Sequence, residues 1–360
     1  QTGSIRNDFD FGQLLLFRND SFQQVVAQMN TDYRFAALYE LRLSISRLGK
    51  IVHIPETLYT VQPTDLRLSG EKQFDYVDPA NREVQLEMEA VGTAHLQAIG
   101  AWLAPEFQRL DFGQENFARE ASVIIPVRNR KRTIAEAVES ALQQQTDFSF
   151  NVIVVDNHST DGTGQILTEL SRRYPNLIHH IPASTELGIG GCWTEAILLP
   201  ECGKFAIQLD SDDLYKDCHV LQRIVDTFYQ ENCAMVIGSY QMVDFKLEEI
   251  PPGLIAHREW TPDNGRNNAL RINGLGAPRA FYTPVLRQIK FPNVSYGEDY
   301  ATALAISRKY PIARIYDPLY LCRRWEENSD HDLDIQQLNN YNFYKDKIRT
   351  LEIQARISGK

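Results

Sequence analysis

The sequence predicts an α/β domain built on a doubly wound parallel sheet. Short apolar runs rich in β-branched residues indicate buried parallel strands, and they occupy residues 122–126, 151–155 and 205–209. Stretches with helical spacing separate the runs, and this alternation of strand and helix is typical of such a sheet. Ligands of these sheets bind beyond the carboxyl ends of the strands. We therefore expect Pro126, Asp156 and Asp210, which lie at the three strand ends, to converge.

The segments between the runs carry helix and turn signals. Residues 133–142 repeat apolar side chains at helical spacing, and Thr133 followed by Glu136 predicts an N-cap with a capping box. A turn-rich stretch follows the second run at 157–163, and a helix is predicted from there to about Tyr174. Each strand is expected to return through a helix, which keeps the strands parallel.

The composition is that of a globular chain and excludes several classes of function. The 360 residues are 43% hydrophobic, and 37 Lys+Arg against 47 Asp+Glu give a net charge of −10. No general affinity for nucleic acid or anionic membranes is expected from such a charge. No apolar stretch approaches the ~18 residues of a spanning helix, and the N-terminus lacks a basic-then-apolar signal segment. The five cysteines form no CxxC pair, which predicts reduced thiols in a cytoplasmic protein.

The first 120 residues follow a different pattern. Residues 78–100 form a charged amphipathic stretch typical of a helix, and 105–120 have the composition of a linker. Residues 36–59 also repeat residues 297–320 at a shift of 261 positions, with nine identities in 24. At ordinary residue frequencies about one or two identities are expected. Both copies predict a helix followed by a strand, and shared helix–strand patterning is the alternative explanation.

The strongest chemical signal is the acidic stretch after the third strand, Asp210-Ser211-Asp212-Asp213. Three carboxylates in four residues repel one another unless a cation or hydrogen-bond donors compensate their charge. All-oxygen ligands suit Mg²⁺ or Mn²⁺, and such an ion would bridge a diphosphate. The structural alternative is a solvated acidic turn that caps the next helix. The convergence of three strand ends favours the metal site.

Four stretches in order resemble family 2 glycosyltransferases of the GT-A fold. They are 122–129 (SVIIPVRN), 154–163 (VVDNHSTDGT), 209–213 (LDSDD) and 297–300 (GEDY). The resemblance covers about residues 121–330. It implies a Rossmann-like doubly wound sheet and an inverting transfer of a sugar from a nucleotide-diphosphate sugar to an acceptor hydroxyl, assisted by Mn²⁺ or Mg²⁺.

The resemblance also implies a nucleotide-sugar pocket at the matching positions. Its nucleoside part would be lined by Pro126, Val127, Arg128, Asn129 and Ser159. Asp156 would accept a hydrogen bond from the base. Asp210 would hold the ribose or assist the metal site, with Ser211 beside it, and Asp212 would ligate the metal with Asp213 close by.

In the fourth stretch, the resemblance implies that Asp299 is the general base and Glu298 its acidic neighbour. The chemistry of inversion agrees, because a base must take the acceptor's proton on the face opposite the leaving group. That position is away from the metal, which neutralises the departing diphosphate. The alternative is an acidic pair that favours a helix N-terminus through the helix dipole.

Two further stretches resemble donor-binding segments of the family. Residues 187–193 (LGIGGCW) predict close backbone approach to the donor, with Gly188 and Trp193 as contacts, and a plain tight turn is the alternative. Residues 323–329 resemble a mobile C-terminal segment in which Arg324 would contact the diphosphate and Trp325 would stack on the sugar or the base. Many relatives have a metal-binding His where Trp325 stands, and His331 is only a weak substitute.

The predicted organisation has four parts: a degenerate C-terminal half of a GT-A-like domain at 1–77, a helical linker at 78–120, the catalytic GT-A domain at 121–330 and a helical tail at 331–360. Ala37-Leu38 stands where the repeat would place Glu298-Asp299, so no base catalysis is expected in the first part.

The predicted activity is that of an inverting, metal-dependent glycosyltransferase of bacterial polysaccharide or glycan synthesis. Its expected partners are a UDP- or GDP-linked donor and a glycan or lipid-linked acceptor, with no nucleic acid. The expected location is the cytoplasm, with peripheral attachment at the inner membrane face only through a partner or the acceptor. The alternatives are an inactive nucleotide- or sugar-binding scaffold and a nucleotidyltransferase.

Overall fold

The computed structural model describes residues 2–9, 11–12, 14–54, 56–60, 81–113, 115–325, 328 and 334–359. Its helices are α1 Asn19–Val26, α2 Ala37–Leu48, α3 Arg82–Ala98, α4 Ile134–Leu142, α5 Thr163–Arg173, α6 Ile189–Leu198, α7 Val220–Glu231, α8 Gly265–Asn268, α9 Thr283–Ile289, α10 Glu298–Ser307 and α11 Ile335–Ile357. Its strands are β1 Ala121–Val127, β2 Phe150–Asp156, β3 Leu177–His180, β4 Phe205–Gln208, β5 Leu214–Tyr215, β6 Met235–Val243, β7 Glu249–Ile255, β8 Arg279–Tyr282 and β9 Ile312–Arg323. None of these helices is both long enough and apolar enough to cross a membrane.

The chain divides into two compact units, and both are discontinuous in sequence. The first unit is helical and comprises Gln1–Ala104, Glu259–Asn273 and Asp346–Lys360. The second unit carries the strands β1–β9 and comprises Pro105–Arg258 and Gly274–Lys345. The predicted four-part division by sequence stays a prediction. The predicted start of the linker helix at Asp78 and of the tail at His331 lie outside the described residues.

The second unit is built on one mixed sheet. Its strand order is β3-β2-β1-β4-β8-β6-β9-β5. Strand β7 also pairs with β6 but is not part of this order. The strands β3, β2, β1 and β4 run parallel, as predicted from the three apolar runs. Strand β8 is antiparallel to both β4 and β6, so the second half of the sheet departs from the parallel pattern. The predicted α/β class with a doubly wound sheet is confirmed for the first half.

Burial of apolar side chains explains why these runs form central strands. Residues 152–155 of β2 and 123–125 of β1 are fully buried, as expected for strands covered on both faces. In β4, Phe205 stacks on Phe228 of α7 with ring centroids 4.3 Å apart. This contact fixes α7 against the strand that leads into the acidic turn.

Strand register brings the predicted site residues to one edge of the sheet. Val127 is the partner of Asp156 across β1 and β2, and Ile124 is the partner of Gln208 across β1 and β4. Because β1, β2 and β4 are parallel, the loops that follow them leave the sheet at the same edge. The predicted convergence of the three strand ends is therefore confirmed.

The predicted capping box at the start of α4 is wrong. Thr133 makes no side-chain cap bond, and its Oγ1 instead donates to the carbonyl oxygen of Ser211 at 2.9 Å. The Glu136 carboxylate pairs with the guanidinium of Arg323. Partners distant in sequence therefore replace the local cap, and they tie the start of α4 to the acidic turn.

The internal repeat is helical in both copies, since α2 and α10 occupy corresponding positions. The strand that should follow is present only in the second copy, as β9. In the first copy, residues 51–54 and 56–60 belong to no strand of the described chain. Ile51 and Leu58 are 46% and 57% exposed, whereas Ile312 and Leu319 are 8% and 0% exposed. The strand predicted in the first copy is therefore wrong, because a strand requires a neighbour that binds its backbone groups.

We expect Phe228→Ala to lower the free energy of unfolding of the second unit by about 3–5 kcal/mol, because it removes a fully buried ring from the Phe205 stack. Phe343→Ala is the matched control, since this ring lies on α11 and is 63% exposed. Urea unfolding of both variants measures the difference. Equal losses in the two variants would contradict the role given to the Phe205–Phe228 stack.

Candidate active site

The loops after β1 and β2 are joined by direct hydrogen bonds. The Asn129 amide N–H donates to Ser159 Oγ at 3.0 Å, and the Thr160 amide N–H donates to Asn129 Oδ1 at 2.8 Å. Asn129 adopts a left-handed φ of 55°, a conformation that Asn accepts more readily than most residues. The predicted nucleoside-pocket residues Asn129 and Ser159 therefore lie together, and Arg128 is exposed next to them.

Asp156 ends β2 beneath these loops and is held in one orientation. One carboxylate oxygen accepts the Ser159 amide N–H at 2.9 Å, and the other lies 3.2 Å from His179 Nε2. Burial opposes ionisation, but the hydrogen bonds from His179 and Ser159 outweigh it and hold the pKa of Asp156 below its ordinary value. Next to it, Val127 is buried and Pro126 half-buried in β1. The site thus offers an ionised hydrogen-bond acceptor at the base of the pocket.

The carboxyl groups of the acidic turn after β4 are hydrogen-bonded to neighbouring residues, and two of them resist ionisation. Asp210 accepts hydrogen bonds from Gln208 Nε2 at 2.9 and 3.1 Å, and Asp213 accepts the Arg323 amide N–H at 2.8 Å. Burial nevertheless raises the pKa of Asp210, and it raises the pKa of Asp213 well above its ordinary value. The nearby Asp212 carboxylate adds to both shifts. A positively charged ligand would relieve this repulsion.

Asp212 faces the segment that follows β9. Its Oδ2 accepts hydrogen bonds from Trp325 Nε1 at 3.0 Å and from Asn328 Nδ2 at 3.5 Å. Arg130 Nε lies 3.6 Å from the same oxygen. The guanidinium groups of Arg130 and Arg132 lie 5.6 and 5.5 Å from the centre of the Trp325 ring. The predicted metal ligand and the predicted stacking residue are therefore direct neighbours.

Two other predicted donor-site residues are fixed through their backbones. The Ser211 carbonyl oxygen accepts the Thr133 hydroxyl, and the Arg324 amide N–H donates to the Val243 carbonyl oxygen at 2.9 Å. Their contacts with a donor stay predictions.

The segment at 187–193 is packed against its neighbours. Trp193 is 5% exposed and packs against Phe281 and Phe291, with ring centroids 5.7 and 5.2 Å apart, and its contact with the donor stays a prediction. The apolar side chain fills the core between α6 and the sheet. At Gly188, a Cβ would lie 2.5 Å from the backbone of Val294. The close approach that requires this glycine is to the 292–294 loop.

Glu298 and Asp299 begin α10 and differ in protonation. Glu298 is buried, and burial, reinforced by the negative charge of Asp299, raises its pKa to about 8. Burial also opposes ionisation of Asp299, but the Arg279 guanidinium and the Lys345 ammonium outweigh it and lower its pKa. At neutral pH Glu298 is therefore protonated and Asp299 ionised. Of the two, only Asp299 is able to accept a proton, and its side chain is 26% exposed.

Sequence reasoning missed two polar residues that contact the predicted ones. Arg279 on β8 donates from Nη1 to Asp299 Oδ2, and Gln208 on β4 binds both Arg279 and Asp210. The one signal available was a polar residue inside an apolar run, since Gln208 interrupts the strand 205–209. Arg279 belongs to no motif, and only the pairing of β4 with β8 brings it to the site.

The acidic turn offers carboxylate oxygens, which are the ligand type that hard divalent cations prefer. Within the described ranges, no three His, Cys, Asp or Glu residues are grouped to hold a metal ion. His331, the predicted substitute ligand, lies outside those ranges. A cation at Asp212 would thus depend on oxygens from water or a diphosphate, as Mg²⁺ sites commonly do.

We expect Glu298 to contribute a loss of stability between about pH 4.5 and pH 8, because it stays protonated in the folded state and ionises near 4.5 when unfolded. Over this interval the Glu298 carboxyl binds a proton in the folded state and not in the unfolded state, so its contribution to stability decreases as the pH rises. Glu298→Gln should remove this contribution, and Glu169→Gln on the exposed face of α5 should leave it intact. Thermal unfolding from pH 5 to pH 8 measures the difference in slope. Parallel curves for wild type and Glu298→Gln would refute the assignment of a neutral Glu298.

Known proteins share both the sequence pattern and the fold of the second unit. Residues 122–289 match the family model for glycosyl transferase family 2. The chain is 24% identical over 230 residues to the poly(ribitol-phosphate) beta-glucosyltransferase of Bacillus spizizenii. This alignment covers 62% of this chain and 35% of that protein. It is 26% identical over 195 residues to the putative teichuronic acid biosynthesis glycosyltransferase TuaG of Bacillus subtilis. This second alignment covers 54% of this chain and 74% of that protein.

Among solved structures, that of S. aureus TarS 1-349 in complex with UDP-GlcNAc matches with a TM-score of 0.50 and 23% identity, over 66% of this chain and 72% of that chain. This similarity concerns the fold. The chain spans about a third of the length of the poly(ribitol-phosphate) beta-glucosyltransferase. The sheet, the ordered motifs at its edge and the family match agree: the second unit has an α/β fold that resembles GT-A glycosyltransferases, and residues 122–289 within it match glycosyl transferase family 2.

Proposed function

We propose that this chain transfers a sugar from a nucleotide-diphosphate sugar, UDP- or GDP-linked, to a hydroxyl group of a bacterial cell-wall glycan, with inversion at the anomeric carbon. The observation that carries the proposal is the position of Asp299, an ionised and accessible carboxylate at the sheet edge where the loops after β1, β2 and β4 meet. The acceptor class is supported by two relatives, a poly(ribitol-phosphate) glucosyltransferase and a putative teichuronic acid glycosyltransferase.

The donor would bind across the loops after β1, β2 and β4. The nucleoside would lie against Asn129 and Ser159, with its base bonded to the ionised Asp156. Arg130, whose Nε lies 3.6 Å from Asp212 Oδ2, would pair with diphosphate oxygens. Asp212, with Asp213 beside it, would hold Mn²⁺ or Mg²⁺. A divalent cation there supplies positive charge that stabilises the leaving diphosphate.

The acceptor hydroxyl would donate its proton to Asp299 as the acceptor oxygen bonds to the anomeric carbon. The bond between that carbon and the diphosphate breaks in the same step, with the electron pair leaving on the phosphate oxygen. Protonated Glu298 adds no second negative charge beside the base. This division of labour requires one ionised and one neutral carboxyl, which is the arrangement that burial and Arg279 favour.

We expect calorimetric titration with UDP, GDP, CDP and dTDP to show micromolar binding of one nucleotide that strengthens with Mn²⁺. Asp212→Asn should weaken the Mn²⁺-dependent part about tenfold or more, because it removes a carboxylate from the cation. Asp226→Asn, an exposed change on α7, is the matched control and should bind as wild type does. Absence of binding for all four nucleotides would reject the proposed activity in favour of an inactive scaffold.

The same nucleotide identifies which sugar donors to test for transfer. Asp299→Asn should bind that nucleotide as tightly as wild type and lose about 10²–10⁴-fold in transfer rate, because it removes only the proton acceptor. Full transfer by Asp299→Asn would show that another group is the base.

A further inference from the structure

Gln208 and Arg279 form a hydrogen-bonded bridge between the acidic turn and Asp299. Gln208 Nε2 donates to the two carboxylate oxygens of Asp210 at 2.9 and 3.1 Å. Gln208 Oε1 accepts from the Nε and the amide N–H of Arg279 at 3.0 and 3.1 Å. The far end of the same guanidinium donates from Nη1 to Asp299 Oδ2. We call these two residues the Gln208–Arg279 bridge.

The sheet fixes the geometry of this bridge. Ile207 and Ala280 are partners across the antiparallel pair β4 and β8, which places Gln208 and Arg279 side by side on neighbouring strands. Gln208 is 3% exposed, and both ends of its amide are bonded, so its orientation is set by its neighbours. The planar guanidinium binds Gln208 through Nε and Asp299 through Nη1, a fork that one ammonium group does not reproduce.

Three charged or titratable groups face Asp299 from the elements around it. Arg279 approaches from β8, Lys345 from α11, and Glu298 precedes it on α10. Of these, Arg279 makes the direct bond to the carboxylate and has the largest effect in favour of its ionised form. Removal of Arg279 therefore changes both the position and the charge environment of Asp299, whereas removal of Gln208 changes only how Arg279 is held.

We propose that Arg279 is a positioning residue for the base, and that Gln208 holds Arg279 in register with Asp210 of the donor site. The inference rests on the proposed function. Arg279 fixes Oδ2 of Asp299, so that Oδ1 takes the proton of the acceptor hydroxyl. The bridge makes the distance between the donor-binding turn and the base a property of two paired strands, which are more rigid than the loops around them.

The kinetic test compares Arg279→Met, Arg279→Lys and Gln208→Leu in transfer from the donor whose nucleotide binds. Arg279→Met should lose about 10–100-fold in kcat with little change in the donor KM, because misplacement of a reacting group affects the chemical step. The acid limb of its pH–rate profile should move to higher pH, because loss of the Arg279 guanidinium raises the pKa of Asp299. Arg279→Lys should keep the acid limb and recover only part of kcat. Gln208→Leu should lower kcat without moving the acid limb.

Arg314→Met is the matched control. Arg314 on β9 and Arg279 on β8 are both register partners of Ile237 on β6, so both arginines lie in the same row of the sheet. The guanidinium of Arg314 donates to the backbone carbonyls of Leu275 and His257, away from Asp299. Arg314→Met should therefore keep the wild-type kcat and pH profile. An Arg279→Met variant that behaves like this control would overturn the proposal.

A double-mutant cycle tests the contact between Arg279 and Asp299 without any turnover. Urea unfolding of Arg279→Met, Asp299→Asn and the double variant should show strong coupling, with Asp299→Asn losing most of its effect once Arg279 is replaced. Additive effects would overturn this contact and with it the positioning role, whatever the activity. If wild type binds no nucleotide but the cycle is coupled, the proposed function fails and the Arg279–Asp299 pair stands as a structural contact. If nucleotide binds and Arg279→Met keeps full kcat, the function stands and the positioning role fails.

Discussion

The concentration of carboxylates at one edge of the sheet is the constraint on which the rest of the site depends. Five acidic side chains follow β4 or begin α10: Asp210, Asp212, Asp213, Glu298 and Asp299. Ionising all of them in a partly dry site would be strongly unfavourable. The protein separates them by protonation state, because Glu298 is kept neutral by burial while Asp299 is kept ionised by Arg279 and Lys345. In the acidic turn, burial and the neighbouring carboxylates raise the pKa values of Asp210 and Asp213, and a divalent cation would favour their ionised forms.

The two halves of the sheet make different contributions to this arrangement. The parallel half, β3-β2-β1-β4, brings the loops that we propose to bind the donor to one edge. The antiparallel strand β8 then brings Arg279 beside Gln208 and within bonding distance of Asp299. If β8 ran parallel to β4 in the same position, Tyr282 and not Arg279 would lie beside Gln208. The antiparallel direction of β8 therefore connects the proposed donor site to the proposed base.

Motifs made of residues close in sequence could be recognised without the structure. The runs at β1, β2 and β4 were predictable because buried parallel strands are uniformly apolar. Asp156 was identified as a strand end and Asp212 as part of an acidic cluster, whereas Asp299 was identified through the resemblance of its stretch to family 2 glycosyltransferases. Gln208 and Arg279 were not predictable, since their role depends on pairing between strands some 70 residues apart. The acidic pair Glu298-Asp299 was identified, but the protonation of each member depends on burial and on Arg279.

The wrong predictions share a physical cause, because each treated as local something that packing decides. Thr133 and Glu136 have the spacing of a capping box, yet Ser211 and Arg323 bind their side chains instead. Residues 51–60 have the pattern of a strand, but no strand of the described chain lies beside them. Local patterns indicate what a segment is able to form, and its neighbours determine what it does form.

The central claim is that Asp299 is the ionised member and Glu298 the neutral member of the pair that begins α10. Carbon-13 NMR titration of the side-chain carboxyl groups, assigned with Asp299→Asn and Glu298→Gln, measures both directly in the free protein. The account predicts that the Asp299 carboxyl stays ionised to a pH below the ordinary Asp range, while Glu298 loses its proton only near pH 8. Two ordinary titrations near pH 4, or the reverse order, would contradict the assignment of Asp299 as the base.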